Sequence, residues 1–207
     1  MDLSAALLLD LASVAVFAVT GALVAARAQL DPVGFVFVAC LTAVGGGTVR
    51  DLLLDRPVFW LADPRPVALA GALAMAVFFT HHLLASRIRV IVWLDALALA
   101  VAVAAGVAAA HGTGAAPWAQ VVMGVVTGCL GGLMRDVVVG EVPLVLRQGE
   151  LYVTAALAGA VAAVAARTVL GDGWPPALAC AATTFALRAG SIRLGWRLPG
   201  FRPRPPR

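Results

Sequence analysis

Gly45-Gly46-Gly47-Thr48-Val49-Arg50-Asp51 and, 85 positions later, Leu130-Gly131-Gly132-Leu133-Met134-Arg135-Asp136 decide how this chain is read. Each stretch drops consecutive glycines, then an Arg-Asp pair, into the far half of a long hydrophobic run. A glycine inside a helix costs about 1 kcal/mol relative to alanine. An ionisable residue at membrane depth costs about 2.5–3.5 kcal/mol. Both costs, incurred twice at matching positions, point to a site.

The setting of these stretches is a membrane. The 207 residues are 62% hydrophobic and 13% charged, with mean hydropathy +0.97, whereas a soluble domain carries about 25% charged residues. The hydrophobic runs are about 20 residues long, which is the length that spans a bilayer. The net charge of +4 comes from fifteen arginines and no lysine. These sit at segment ends and in the tail, where topology and anionic headgroups account for them, so nucleic acid is not a partner. Cys40, Cys129 and Cys180 are odd in number and form no C-x-x-C pair, so they are read as small buried hydrophobes without a disulfide or metal. The N-terminal stretch carries Asp2 and Asp10 and no basic residue, which predicts a spanning helix and not a cleaved signal peptide.

The apolar runs predict seven transmembrane helices: Leu3–Ala26, Val33–Leu54, Val67–Ala85, Val90–Ala110, Trp118–Val139, Leu151–Val169 and Pro175–Trp196. Asp31-Pro32, Asp63-Pro64-Arg65-Pro66, Gly112–Pro117 and Gly171–Pro176 punctuate them. Residues 1–196 therefore form one transmembrane domain, followed by a basic, proline-rich tail over 197–207. Placing the N-terminus outside leaves eleven arginines (Arg27, Arg87, Arg89, Arg135, Arg147 and the six from Arg188 onward) on the cytoplasmic side. Four, Arg50, Arg56, Arg65 and Arg167, then lie outside. That bias predicts N-terminus out and C-terminus in, in a cell's inner (plasma) membrane.

The offset of 85 extends well beyond the glycine stretches. Asp10 maps to Asp95, Gly21 to Gly106, Pro32 to Pro117 and Thr42 to Thr127, before the offset drifts to 86 at Pro57 and Pro143. Repeat one covers about 3–85 and repeat two about 90–170, leaving an extra helix over 175–196. A three-helix unit is odd, so its second copy enters the membrane from the opposite face: an inverted repeat.

Val33 to Gly45 rises about 18 Å, somewhat past the middle of a ~30 Å hydrocarbon core. Helices broken there would free the carbonyls of Leu41–Val44 and Val126–Cys129. With the hydroxyls of Thr42 and Thr127, these ends would suit a small cation, while the freed N–H groups would suit an anion. The alternative is close packing, which Gly124-x-x-x-Gly128-x-x-x-Gly132 fits well. Arg50 and Arg135 either snorkel or project into a water-filled lumen as electrostatic gates. Neighbours on a helix point about 100° apart, so Arg50 and Asp51 are not expected to pair; Asp10, Asp95 or the other repeat would supply the partner. Asp10 and Asp95 are candidate cation attractors. His81, His82 and His111 have no ligand partners at metal spacing, and no catalytic constellation is present, so neither a metal site nor an enzyme is expected.

GGGTVRDLLLDRPVFWLADP, GGLMRDVVVGEVP and the closing RLGWRLP together resemble the prokaryotic branch of the trimeric intracellular cation (TRIC) channels. The same bacterial sequences have also been grouped as glycine transporters. The resemblance runs over essentially the whole chain. It implies a homotrimer with a pore in each protomer, seven helices in a three-plus-three inverted repeat plus one, and conduction of monovalent cations, chiefly potassium. It also implies a pore lined by the second and fifth helices, kinked at Gly45–Gly47 and at Gly131-Gly132. Arg50, Asp51, Arg135 and Asp136 follow those kinks. Animal members use lysines for lipid binding and gating; this chain has none, so that feature does not carry over. The expectation is a potassium-permeable channel without a cofactor other than its permeant ion (K+ or Na+) and bound lipid. The competing readings are a secondary transporter for glycine and a protein in which the glycines only pack helices.

Overall fold

The computed structural model describes residues 3–84, 88–147 and 149–199. Arg87 and positions 200–207 of the expected tail lie outside the described residues, as do the side chains of His81 and His82. Eight α-helices follow one another: α1 (Leu3–Arg27), α2 (Pro32–Leu53), α3 (Phe59–Ala62), α4 (Arg65–Leu84), α5 (Ile88–Gly112), α6 (Pro117–Val138), α7 (Val153–Leu170) and α8 (Trp174–Leu194). A 3-10 turn covers Leu144–Leu146, and no strand occurs among the described residues. The sequence predicts seven helices; the eighth is α3, a single turn in the connection between α2 and α4. Among the described residues, five helical stretches, Leu7–Arg27, Pro32–Leu53, Arg89–Gly112, Pro117–Val138 and Val153–Leu170, are long and apolar enough to cross a membrane.

Local chemistry sets the helix ends. Pro32 opens α2 with its φ already helical, and the Asp31 carboxylate accepts from the Gly34 N–H at 2.7 Å. Pro117 opens α6 in the same way. Ahead of α4, Asp63 accepts from the Arg65 guanidinium and its backbone N–H, bonds that hold its carboxyl below the usual carboxylate range. At the far end, α8 stops at Gly195, which adopts the left-handed conformation. The chain then doubles back: Trp196 packs on Gly190, the Leu198 N–H donates to the Gly149 carbonyl at 3.0 Å, and Arg197 bridges to Glu150. The start of the expected disordered tail is thus pinned.

Helices α1 and α5 pack on each other at the centre. Around α1 lie α2 and α4; around α5 lie α6, α7 and α8. Alanines such as Ala18, Ala22, Ala39, Ala98 and Ala102 fill these contacts and let the helices approach closely. Val33 and Trp118, 85 residues apart, both face outward.

The glycine stretches do not interrupt their helices. α2 runs without a break through Gly45–Gly47, and α6 through Gly131 and Gly132. The expected breaks, and with them the freed carbonyls, are therefore absent from this structure. A break in hydrocarbon strands backbone groups whose loss costs several kcal/mol each, more than the glycines' helix penalty. The glycines serve the packing role instead.

The crossing of α2 and α6 as a candidate functional site

A methyl group on Gly46 would run into the carbonyl oxygen of Thr127, and one on Gly131 into that of Thr42. Position 46 meets 127 while 42 meets 131, so the partner's number falls as α2 advances. The two helices run in opposite senses and touch backbone to backbone, with 46 and 131, and 42 and 127, each separated by 85. Thr42 Oγ1 donates to the Val38 carbonyl and Thr127 Oγ1 to that of Met123, both at 2.6 Å. Each hydroxyl also lies against a glycine of a central helix, Gly21 on α1 and Gly106 on α5. Gly45 faces the Met134 sulfur and Gly47 the Phe59 ring.

Four residues beyond each crossing glycine sits an arginine in an ion-pair cluster. Arg50 binds Asp10 of α1 with both terminal nitrogens, at 2.7 and 3.3 Å. Its Nε donates to Asp51 Oδ1 at 2.8 Å, and Asp51 Oδ2 accepts from the Phe59 N–H at 3.0 Å. Arg135 Nη1 donates to Asp95 Oδ1 of α5 at 3.0 Å and Nε to Asp136 Oδ1 at 2.7 Å. Asp136 Oδ2 accepts from the Leu144 N–H, again at 3.0 Å. Every residue in the first cluster has its counterpart 85 positions on. Antiparallel α2 and α6 put the clusters on opposite sides of the crossing, about 18 Å apart along the helices at 1.5 Å per residue.

Both arginines are buried, Arg50 fully. They are held in ion pairs and project from no break, so in this conformation neither snorkels to an interface. The adjacent Arg-Asp pairs do form, against expectation, because the arginine stem bends its Nε back along the helix to the neighbouring carboxylate. Of the alternatives the sequence left open, Asp10 and Asp95 are the arginines' partners, and neither of these ion pairs crosses from one half to the other. Each cluster holds two carboxylates and one guanidinium, a formal excess of one negative charge.

A cleft at the crossing is lined by Asp10, Ser13, Thr42, Gly46, Gly47 and Thr127, together with Phe17, Ala43, Phe59 and Ala102. It has room for about one water molecule. On the other side, Arg135 and Asp136 border a wider cavity of about 100 Å³ that opens past Arg27, Glu141 and Arg147. The structure thus gathers Asp10, Thr42, Gly46, Gly47 and Thr127 around one cleft and puts Arg135 and Asp136 at another.

Several participants carry no signal in the glycine stretches. Thr20 of α1 accepts from Arg135 Nη1 at 3.3 Å, where position 105 of the other half is alanine. The Phe59 ring lies under the Arg50 guanidinium, 5.5 Å from its centroid. Arg188 of α8, which the sequence places among the cytoplasmic charges, is fully buried over the Tyr152 ring.

Comparisons with known proteins agree on kinship. A family model described as glycine transporter matches residues 7–82 and 92–168. The UPF0126 inner membrane protein YadS of Escherichia coli K12 is 39% identical over 199 residues, covering 93% of this chain and 94% of that protein. A UPF0126 membrane protein of Vibrio cholerae is 37% identical over 210 residues, covering 97% and 84%. The TRIC trimeric intracellular cation channel orthologue from Rhodobacter sphaeroides is 43% identical, with a TM-score of 0.87 over 93% of this chain and 99% of that one. A prokaryotic TRIC channel solved in 0.5 M KCl is 26% identical, with the same TM-score over 94% and 98%.

Proposed function

This chain belongs to the TRIC family, and we propose from that premise that it is a passive, potassium-permeable cation channel, with a pore in each protomer of a homotrimer. The observation that carries the reading is the charge at the α2–α6 crossing. A narrow cleft bearing Thr42, Thr127 and Asp10 lies between two clusters that each hold one carboxylate in excess. Negative charge in low-dielectric surroundings draws cations and repels anions, and hydroxyl oxygens can replace part of an ion's water shell.

The conformation described is closed, because the cleft admits no hydrated ion. Opening requires α2 and α6 to part at Gly46 and Gly131, which in turn loosens Arg50 from Asp10 or Arg135 from Asp95. The arginines act as the locks of the passage and the aspartates they release as its cation attractors. The reading is of a channel, not an enzyme.

Seven long helices as two inverted three-helix repeats plus α8 fit the residue-for-residue recurrence of the two clusters at 85 residues and the antiparallel α2 and α6. With Arg50, Arg135 and Arg188 buried, nine arginines remain for the cytoplasmic side against three outside. The inner membrane with the N-terminus outside is therefore the favoured topology. Lipids cover the outward faces of Val33, Phe37 and Trp118.

Purified protein in a planar bilayer should give single-channel currents whose reversal potential follows the potassium gradient. Silence across voltage and pH would overturn the reading. The glycine-transporter description of the family supports a second one, glycine carriage by alternating access. It predicts saturable uptake of labelled glycine into proteoliposomes without unitary currents.

A further inference from the structure

The two clusters differ in one detail that the symmetry does not explain. Asp10 uses both oxygens on Arg50, whereas Asp95 uses only Oδ1 on Arg135. Asp95 is fully buried and its Oδ2 has no partner. Three more orphaned atoms belong to its neighbourhood: the Tyr152 hydroxyl and Nε and Nη2 of Arg188, both residues buried as well. The Arg188 guanidinium stacks over the Tyr152 ring at 4.9 Å and spends only Nη1 on an acid, Glu150, at 3.2 Å. At the ring's other end, the hydroxyl faces the space that Gly132 leaves open. A Cβ there would stand 3.3 Å from Tyr152 Oη, 3.7 Å from Asp95 Oδ1 and 3.8 Å from Arg135 Nη2.

A buried polar atom without a partner is costly in hydrocarbon, and here the orphans are complementary: a carboxylate oxygen, a hydroxyl and two guanidinium donors. Each can satisfy another after a small shift, and Gly132 leaves the room for it. We propose that Tyr152 and Arg188 form a second docking point for the Asp95 carboxylate, so that Asp95 can leave Arg135 without becoming an uncompensated buried charge. Tyr152 would donate its hydroxyl to the arriving oxygen, with Arg188 behind it as the counter-cation. Arg188 is then a positioning residue acting through Tyr152. The first cluster has no such reserve, because α8 has no counterpart in the repeat and the Phe59 ring occupies the space beside Gly47. The consequence for gating, that the Asp95 side is the one that switches, rests on the channel reading; the docking point itself does not.

The test is a mutant cycle on the full-length protein in detergent, read by thermal unfolding. Tyr152→Phe keeps the ring and removes only a hydroxyl that bonds nothing in the present state, so alone it should shift the midpoint by no more than about 1 °C. In an Arg135→Gln background, where Asp95 must rely on the second point, the same change should lower the midpoint by about a further 5 °C. Arg188→Gln already forfeits the Glu150 ion pair and the Tyr152 stacking when made alone, and it should cost more still in the Arg135→Gln background, with Arg188→Lys restoring part of the loss. Should Arg135→Gln fail to accumulate, Arg135→Met, which also removes the charge, serves as the background. Additive effects of the Tyr152 and Arg135 changes would overturn the docking point, whatever the currents show. In bilayers, Tyr152→Phe should lower open probability about fivefold, the worth of one hydrogen bond. An unchanged open probability in a conducting protein would overturn the gating consequence. A wild type that carries no current defeats the channel reading and leaves the thermal cycle to decide the docking.

Discussion

The Arg50 cluster and the Arg135 cluster share their residues and bonds at an offset of 85, yet they sit in different surroundings. Asp10 keeps 14% of its side chain exposed and grips Arg50 with two oxygens, while Asp95 is sealed and grips Arg135 with one. Arg50 rests on the apolar Phe59 ring; Arg135 gains the Thr20 hydroxyl and lies near Tyr152. The same charge triad occurs at both sites, and burial sets the two apart. The partly exposed copy can be rescued by water, whereas the sealed copy depends wholly on its protein neighbours.

The largest effect should come from neutralising the sealed acid. Asp95→Asn removes one of the two sealed ion pairs of buried Arg135, leaving only Asp136 to hold it, and should destabilise the protein by about 3 kcal/mol. Asp10→Asn, with water at hand, should cost about 1 kcal/mol. Equal losses in thermal or denaturant unfolding would break the contrast between the copies. Next come Gly46→Ala and Gly131→Ala, each forcing a methyl into the opposite helix's carbonyl, at about 2 kcal/mol apiece. Their costs should match, since the crossing is reciprocal, and unequal melting shifts would show that one helix yields more easily. Thr20→Val removes a hydroxyl that only the second cluster has, and about 1 kcal/mol should be lost. Phe59→Leu should have the smallest effect, about 0.5 kcal/mol from the lost cation–π contact. A loss for Phe59→Leu above that for Thr20→Val would reverse the ranking of the two environments.

Much of this was legible before any coordinate. The offset of 85 tied Asp10 to Asp95 and Arg50 to Arg135, and the structure pairs each aspartate with the arginine of its own half. The glycine stretches lie where α2 and α6 cross, in helices that do not break. Consecutive glycines signal either a broken helix or a close approach, and only the position of the opposing backbone, that of Thr127 or Thr42, separates the two. Pairing of Arg50 with Asp51 was missed because Cα spacing ignores how far an arginine stem can fold back. Arg188 and Tyr152 were hidden for a different reason. The repeat was the instrument that singled residues out, and neither has a partner under it. An arginine six residues before the end of α8 looks like an end charge until the fold buries it.

The ion pairs also bear on how the chain is made. Arg50 and Asp10, like Arg135 and Asp95, are separated by 40 residues, so both members of a pair belong to the same half. Once the ribosome has delivered α2, Arg50 already has both its acids, and the nascent half can enter lipid with its arginine neutralised. The glycine face of α2 has no such early partner. Gly46 stays bare until Thr127 and Gly131 have been synthesised, some eighty residues later, so the join between the halves forms only after Arg50 has been neutralised.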